Sequence, residues 1–330
     1  MQRKYIIIAL GMIVIMSICW LAGLFERHDR IELTICVGSP GEVSIGLGED
    51  TKDLGIDWGD GTMDGQRKHV YQTAGDYEIV IRAPKLSLLS ISNFNVKELN
   101  FVRCPNLKIV RLWDLNSLQT LDLSGCSLLE ELYCGENKLE NLDLSGCSLL
   151  EELYCQENKL ENLDLSGCPL LKKLDCYNNQ LNSLNISNCT NLRYLDCSLN
   201  HLSDLNIEKS KDLITLRCYN NKLTVLDLEY FFELKELNCS HNKLVILELP
   251  RGLMTLDCSF NQLTELTTIG FNLLKLLCSN NHLKNLNLKN CSNLLYLECH
   301  NNNLPVLNLL ECYSILGASY SGNPLQNVLR

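Results

Sequence analysis

From Leu86 onward the leucines recur at a spacing that neither a lone helix nor a lone strand produces. One unit reads Leu129-x-x-Leu132-x-Cys134-x-x-Asn137-x-Leu139-x-x-Leu142-Asp143-Leu144-Ser145-Gly146-Cys147, and the next, from Leu150, is nearly identical. Further units begin at Leu171, Leu192, Leu213, Leu234, Leu253, Leu273 and Leu294, with looser copies at Leu86 and Leu107 and a partial one at Ile315. The period is 21 residues, slipping to 22 after Leu107, 19 after Leu234 and 20 after Leu253. Such self-similarity is the signature of stacked structural repeats. Period-2 alternation puts Leu132 and Cys134 on one strand face and Tyr133 on the other. One coil cannot bury its apolar face alone, so coils must stack at ~4.8 Å into a parallel sheet with a continuous interior. Leu142-Asp143-Leu144 predicts a second extended ladder on the far side of each coil. Helical periodicity is weak, so the back is expected to be strand, turn and polyproline-like. Asn137 and its equivalents (158, 179, 200, 221, 242, 261, 281, 302 and 323) stand where the chain leaves the strand. Their amides can satisfy backbone groups of an interior bend, where an unpaired group costs ~1–3 kcal/mol.

Residues 31–84 alternate differently, in strand fashion: Ile31-Glu32-Leu33-Thr34-Ile35, Val43-Ser44-Ile45-Gly46-Leu47 and Tyr77-Glu78-Ile79-Val80-Ile81. Between them Ile56-Asp57-Trp58-Gly59-Asp60-Gly61-Thr62 reads as a strand running into a tight Asp-Gly turn, followed by His69-Val70-Tyr71 and Ala74-Gly75-Asp76-Tyr77. The order and spacing of this set resemble the PKD domain, an extracellular immunoglobulin-like β-sandwich. The segment is shorter than that family, so a strand is either missing or shared with the next domain. It carries a net charge of −6, from ten acidic and four basic residues. Asp57, Asp60 and Asp64 raise the question of calcium, but their spacing is not that of an EF-hand loop. A turn with solvated acids is the simpler expectation.

The repeat region itself resembles the leucine-rich repeat family in its short bacterial form, with cysteine at the sixth position of the Leu-x-x-Leu-x-Leu-x-x-Asn-x-Leu pattern. The resemblance spans about three quarters of the chain. It implies a mainly β fold: a right-handed solenoid of eleven repeats over residues 85–314, preceded by the PKD-like β-sandwich at 31–84. Residues 315–330, a partial repeat in which Tyr320 replaces cysteine and Pro324 follows Asn323, are expected to fold over the last coil as a cap and leave a monomer.

Residues 1–30 read as a membrane signal. Arg3 and Lys4 precede the uncharged run Ile6 to Phe25, and twenty residues at 1.5 Å each span ~30 Å of hydrocarbon. The flank Glu26 to Arg30 is charge-balanced, so the positive end stays inside and the rest is exported. A signal anchor, a cleaved signal peptide and a lipid anchor at Cys19 are all compatible with this segment. The chain is therefore expected at the cell surface or in the periplasm, or secreted if the signal is cleaved.

Composition changes the picture in two ways. Of 330 residues 46% are hydrophobic, and the net charge is −10; without a basic face a nucleic-acid partner is not expected. The eighteen cysteines suggest a disulfide scaffold, but sixteen fall on repeat positions. Nine (134, 155, 176, 197, 218, 239, 258, 278 and 299) take the sixth position, and seven (104, 126, 147, 168, 189, 291 and 312) close the second ladder. They are expected as small buried hydrophobes with free thiols. One cysteine per rung is not a tetrahedral cluster, so no metal is expected, and no cofactor is called for.

No nucleophile elbow, HExxH, Walker loop or GxGxxG motif is present. His201, His241, His282 and His300 fall at different repeat positions. The chain is expected to be non-catalytic, which turns the question to which surface binds. The outward positions three, five, seven and eight of each unit line the concave face. Between residues 107 and 220 they carry an aromatic and acidic stripe: Trp113, Glu131, Tyr133, Glu152, Tyr154, Asp175, Tyr177, Tyr194, Asp196, Arg217 and Tyr219. Tyrosine and tryptophan give binding energy at low entropic cost. The opposite column Asp122, Asp143 and Asp164 repeats like charges at one-rung spacing and is expected to be solvated. The expected function is protein–protein interaction or adhesion at the cell surface; the family resemblance implies binding of host or neighbouring-cell proteins. A glycan-binding module and a structural envelope spacer are the alternatives.

Overall fold

The strands that alternation predicts at the start of the chain do not close on themselves; they grow directly into the solenoid. A computed structural model describes residues 29–48, 53–92, 94–115, 117–268 and 272–330. The apolar run Ile6 to Phe25 lies outside these residues, and among the described residues no helix is long and apolar enough to cross a membrane. The first strands are β1 (Asp29–Val37), β2 (Gly41–Leu47), β3 (Gly55–Asp57), β4 (Met63–Asp64), β5 (Lys68–Tyr71) and β6 (Gly75–Ala83). Then come β7 (Leu88–Ser92) and β8 (Asn95–Arg103). One sheet runs β4-β3-β6-β1-β8, with β1 antiparallel to β6 and β8. Alternate residues of β1 (Ile31, Leu33, Ile35) point inward with Val43, Ile45 and Leu47 of β2 and with Ile79 and Ile81 of β6, in one continuous core.

The boundary expected between residues 84 and 85 is not a seam. β8 follows it, yet completes the five-stranded sheet by pairing with β1. β7 follows it too, and pairs antiparallel with β2 on one side and parallel with β9 (Ile109–Trp113) on the other. The physical reason is the solenoid's open end. A bare first rung would expose an unpaired strand edge and a row of leucines; β2 and β5 supply the missing partners, and their antiparallel pairs extend the sheet to fourteen strands.

From β9 the sheet continues through β10 (Glu131–Tyr133) and β11 (Glu152–Tyr154) to the strand at Gly317–Ser319, one strand per turn and all parallel. The register keeps like positions side by side: Leu132 beside Leu153, Leu153 beside Leu174, Leu174 beside Leu195. These leucines and the sixth-position cysteines are fully buried (0% exposed). Each leucine contributes ~1.5–3 kcal/mol of burial. Ladders on the far side are intermittent, which differs from the continuous one expected. Asn162–Asp164 pairs with Ser183–Asn185, Glu265–Thr267 with Asn285–Asn287, and Val306–Asn308 with Asn327–Leu329. Strand pairing on every turn sets the rung spacing on one side only.

Residues 315–330 do not fold back over the last coil. They make one more turn of the same kind: Gly317–Ser319 pairs in register with Tyr296–Glu298, and Asn323 takes the Leu304 N–H at 3.1 Å. Because nothing stacks on this turn in the structure, its apolar residues Ile315, Ala318, Tyr320, Leu325 and Val328 are only partly buried.

Candidate functional site

The asparagines hold each strand's exit in place. Asn158 Oδ1 accepts the Leu139 N–H at 2.9 Å, and Nδ2 donates to the carbonyls of Cys134 at 2.9 Å and Cys155 at 3.1 Å. Asn179 does the same for Leu160, Cys155 and Cys176. Each amide thus ties its own turn to the preceding one. The residue before each asparagine sits in the left-handed region, from Glu136 (φ 57°) and Glu157 (φ 54°) to Asn301 (φ 53°). That bend sends the chain off the strand and leaves positions three, five and seven aligned on the inner face.

The aromatic stripe starts with Trp113, whose ring lies 5.6 Å from that of Tyr133 and packs over Gly135, where a Cβ would come 2.7 Å from Trp113 Cζ3. Tyr133 stacks on Tyr154 at 4.7 Å with an interplanar angle of 5°. Arg111 covers the other side of Tyr133 at 5.2 Å and reaches Glu131 at 3.4 Å. Both phenols lean on Glu152, at 3.4 Å from Tyr133 and 3.3 Å from Tyr154, and Lys173 pairs with the same carboxylate at 2.8 Å. Burial, then Glu131 and Glu152, push the Tyr133 phenol up to about 12. Burial and Glu152 do the same for Tyr154.

Two turns on, the face becomes acidic. Asp175 and Asp196 are register partners on adjacent strands. Burial foremost, with Asp196 adding repulsion, pushes Asp175 up to about 6. Burial also raises Asp196, against the bonds from Ser198 that lower it. Asp196 departs from the expectation of an exposed ligand contact: it is 7% exposed, and its Oδ1 accepts the Ser198 N–H at 3.0 Å. Arg217, from the next turn, flanks it. Arg217 stands 3.9 Å from the Asp196 carboxylate, lies over the Tyr194 ring at 5.8 Å and donates to its hydroxyl at 3.4 Å. Tyr177 and Tyr219 are partly exposed and occupy position seven of their turns, on either side of Ser198. The structure thus brings the stripe together as two groups, one from Trp113 to Lys173 and one from Asp175 to Tyr219. Counting register positions would have found Ser198 and Gly135; composition alone points to neither.

The other candidate groups are structural. Asp122, Asp143 and Asp164 each accept the N–H two residues on, from Ser124, Ser145 and Ser166, at 2.9 Å. Those bonds hold the carboxyls below their usual range. Among the N-terminal strands Asp57 accepts the Gly59 N–H at 3.1 Å, Asp60 the Thr62 N–H at 3.0 Å and Asp64 the Trp58 indole N–H at 3.1 Å. Gly59 is required there: φ is +79°, and a Cβ would meet the Glu78 carbonyl at 2.6 Å. The cysteines are all free thiols among the described residues; burial alone pushes Cys134 up to about 12, so it stays protonated.

Comparison with known proteins matches this repeat geometry. The Leucine Rich Repeat family model fits residues 117–136. The fold of the chain is that of leucine-rich repeat proteins. Among solved structures, the functional domain of InlJ from Listeria monocytogenes, which includes a cysteine ladder, is 28% identical with a TM-score of 0.51, over 72% of this chain and 54% of that one. YopM from Yersinia enterocolitica is 27% identical with a TM-score of 0.63, over 75% of this chain and 58% of that one. YopM from Yersinia pestis, a leucine-rich effector protein, shares the fold at 22% identity and a TM-score of 0.53, over 74% of this chain and 80% of that one. The chain spans little more than half the length of the first two of these proteins. No curated protein matches the sequence.

Proposed function

We propose that this leucine-rich repeat chain is a non-catalytic binding protein of the bacterial cell surface or periplasm, whose inner solenoid face takes a protein partner. The stacked Tyr133–Tyr154 pair carries this reading, with rings 4.7 Å apart on strands locked by the asparagine bonds. Large, rigid aromatics on a fixed scaffold lose little entropy on binding and make good anchors. The N-terminal strands read as a PKD-like domain, supported by the buried Trp58 under the Asp-Gly turn and by the Tyr71 hydroxyl donating to the Trp58 carbonyl at 2.7 Å. The charge-flanked apolar run Ile6 to Phe25 supports export and a membrane tether.

The test is capture of surface proteins, alongside a glycan array, with the wild-type chain and a Tyr133→Ser/Tyr154→Ser double variant. A captured protein should bind the double variant at least tenfold more weakly, and a Ser240→Ala/Ser259→Ala control should bind it like wild type. Silence of the double variant would discard the face. Selective binding to glycans in its place would establish the alternative that these aromatics sit beside Glu152 to hold a sugar.

A further inference from the structure

Position two of each turn, just before the inner-face strand, changes character along the solenoid. In the earlier turns it is charged and paired: Lys108 reaches Glu130 at 2.6 Å, and Lys172 reaches Glu151 at 2.6 Å. Further on, the same column reads Ile214, Lys235, Met254, Leu274, Leu295 and Leu316. The backbone holds these residues one above another, because each position-two carbonyl accepts the N–H of its successor. The Leu274 N–H donates to Met254 at 2.8 Å, Leu295 to Leu274 at 2.9 Å and Leu316 to Leu295 at 2.9 Å. Ile214, Met254 and Leu316 are exposed, and Leu274 and Leu295 are half-buried. Phe232, 62% exposed, belongs to the same edge: its carbonyl is 2.6 Å from where a Cβ on Gly252 would stand, two residues before Met254.

A lone exposed apolar residue is ordinary, but four in register on consecutive turns make a ridge. The solenoid core does not require it, since Leu273 and Leu276, on either side of Leu274 and Lys275, already fill the interior. Among the residues next to these four in sequence only Lys275 is charged, and it borders the ridge on the inner-face side. Lys235 borders the other side, its ammonium lying 3.1 Å from where a Cβ on Gly252 would stand. Neither lysine forms an ion pair among the described residues. Asp212 and Glu233 stand at the Ile214 end only. The charge left unmatched along the ridge is therefore positive, on a chain whose net charge is −10.

The spacing fits one kind of element. Rungs of a parallel sheet lie ~4.8 Å apart, and one turn of α-helix rises about 5.4 Å. A helix laid along the solenoid edge offers one side chain per turn to each rung, and four turns stay in step within ~2 Å. We propose that the ridge from Met254 to Leu316, with Phe232, seats an amphipathic α-helix of a protein partner. The apolar stripe of that helix packs on the methionine and leucines, and carboxylates on its two borders reach Lys235 and Lys275. This surface is separate from Tyr133 and Tyr154 and acts independently of them.

The probe is a fluorescent eighteen-residue helical peptide with leucines on one face and glutamates along both borders, titrated into the full chain and read by anisotropy. It should bind in a saturable way, and a peptide of the same composition with its leucines scattered round the helix should not. Met254→Ser/Leu316→Ser should weaken binding about tenfold. Lys235→Glu/Lys275→Glu should weaken it several-fold, and should bind a peptide with lysines in place of the glutamates better than wild type does. Tyr133→Ser/Tyr154→Ser should bind the glutamate peptide like wild type. If the serine variant fails to fold, the charge exchange decides alone. Absence of saturable binding overturns the proposal, as do equal binding of the scattered peptide and indifference of the glutamate peptide to the lysine exchange. A wild-type dimer that Met254→Ser/Leu316→Ser dissociates would also overturn it, assigning the ridge to a second copy. Release of the chain from phosphatidylglycerol vesicles by that variant would overturn it in favour of a lipid surface.

Discussion

One asparagine side chain satisfies three backbone groups on two turns. Asn179 makes one bond as acceptor, to the Leu160 N–H at 3.0 Å, and donates to the carbonyls of Cys155 at 3.0 Å and Cys176 at 3.2 Å. All of these groups are buried, so Asn179→Ala leaves several without partners and should cost ~3 kcal/mol or more, read as a drop in the urea midpoint. The neighbouring left-handed position is under opposite pressure. Glu157 holds φ 54° with an exposed side chain, a conformation asparagine tolerates better than glutamate. Glu157→Asn should raise stability by ~0.5–1 kcal/mol in the same measurement, and no gain would mean that the glutamate makes a compensating contact. The asparagine's role was legible in the sequence because the residue recurs at every bend. The burial of Asp196 was not. Alternation assigns it outward, and its burial depends on neighbours from other turns, Arg217 among them.

At the scale of elements, β7 and β8 belong to two structures at once. Leu99 of β8 is 3% exposed and sits opposite Leu33 of β1, while β7 hands the sheet on to β9. Leu99→Ala should therefore cost ~2–4 kcal/mol. Amide exchange should rise together in Asp29–Val37 and Leu88–Ser92, with Tyr194–Asp196 unaffected. Exchange confined to Asp29–Val37 would show that the N-terminal strands and the solenoid open separately. The leucine pattern placed the solenoid strands because each turn repeats the same inward positions. It also placed β7 and β8 within the first loose repeat, but it contains no sign that Val96, Leu99 and Phe101 pack against β1. Pairing between distant strands leaves no periodic trace in a chain whose own period is so strong. The far-side ladder is less regular than the sequence for a related reason: Leu142-Asp143-Leu144 and Leu163-Asp164-Leu165 are identical, yet only Leu163 and Asp164 of the second lie in a paired strand.

For the whole molecule, the adjacent carboxyls of Asp175 and Asp196 shape the response to pH. Asp175 is raised to about 6 from an ordinary value near 3.8, and Asp196 is raised as well. The folded chain then binds more protons than the unfolded chain between about pH 4 and 6, so stability rises as pH falls through that window. Asp60 acts in the opposite sense: the Thr62 hydroxyl foremost lowers it to about 2, and its contribution is lost only below about pH 4. Urea unfolding should show ~1–2 kcal/mol more stability at pH 5 than at pH 7.5. Asp175→Asn should remove most of that difference and stabilise the chain at pH 7.5. A flat wild-type profile would show that Asp175 is already matched. One further consequence follows from the asparagines, whose amides always reach back to the turn before them. Leu160 is completed by Asn179 and Leu181 by Asn200, so no turn is finished until its successor arrives. Mechanically the solenoid is a ratchet with a direction. Pulled from the C-terminal end, it should peel in steps of one 21-residue turn, each releasing about 70 Å of extended chain. Each step should leave the next turn already weakened by the loss of its bridging amide.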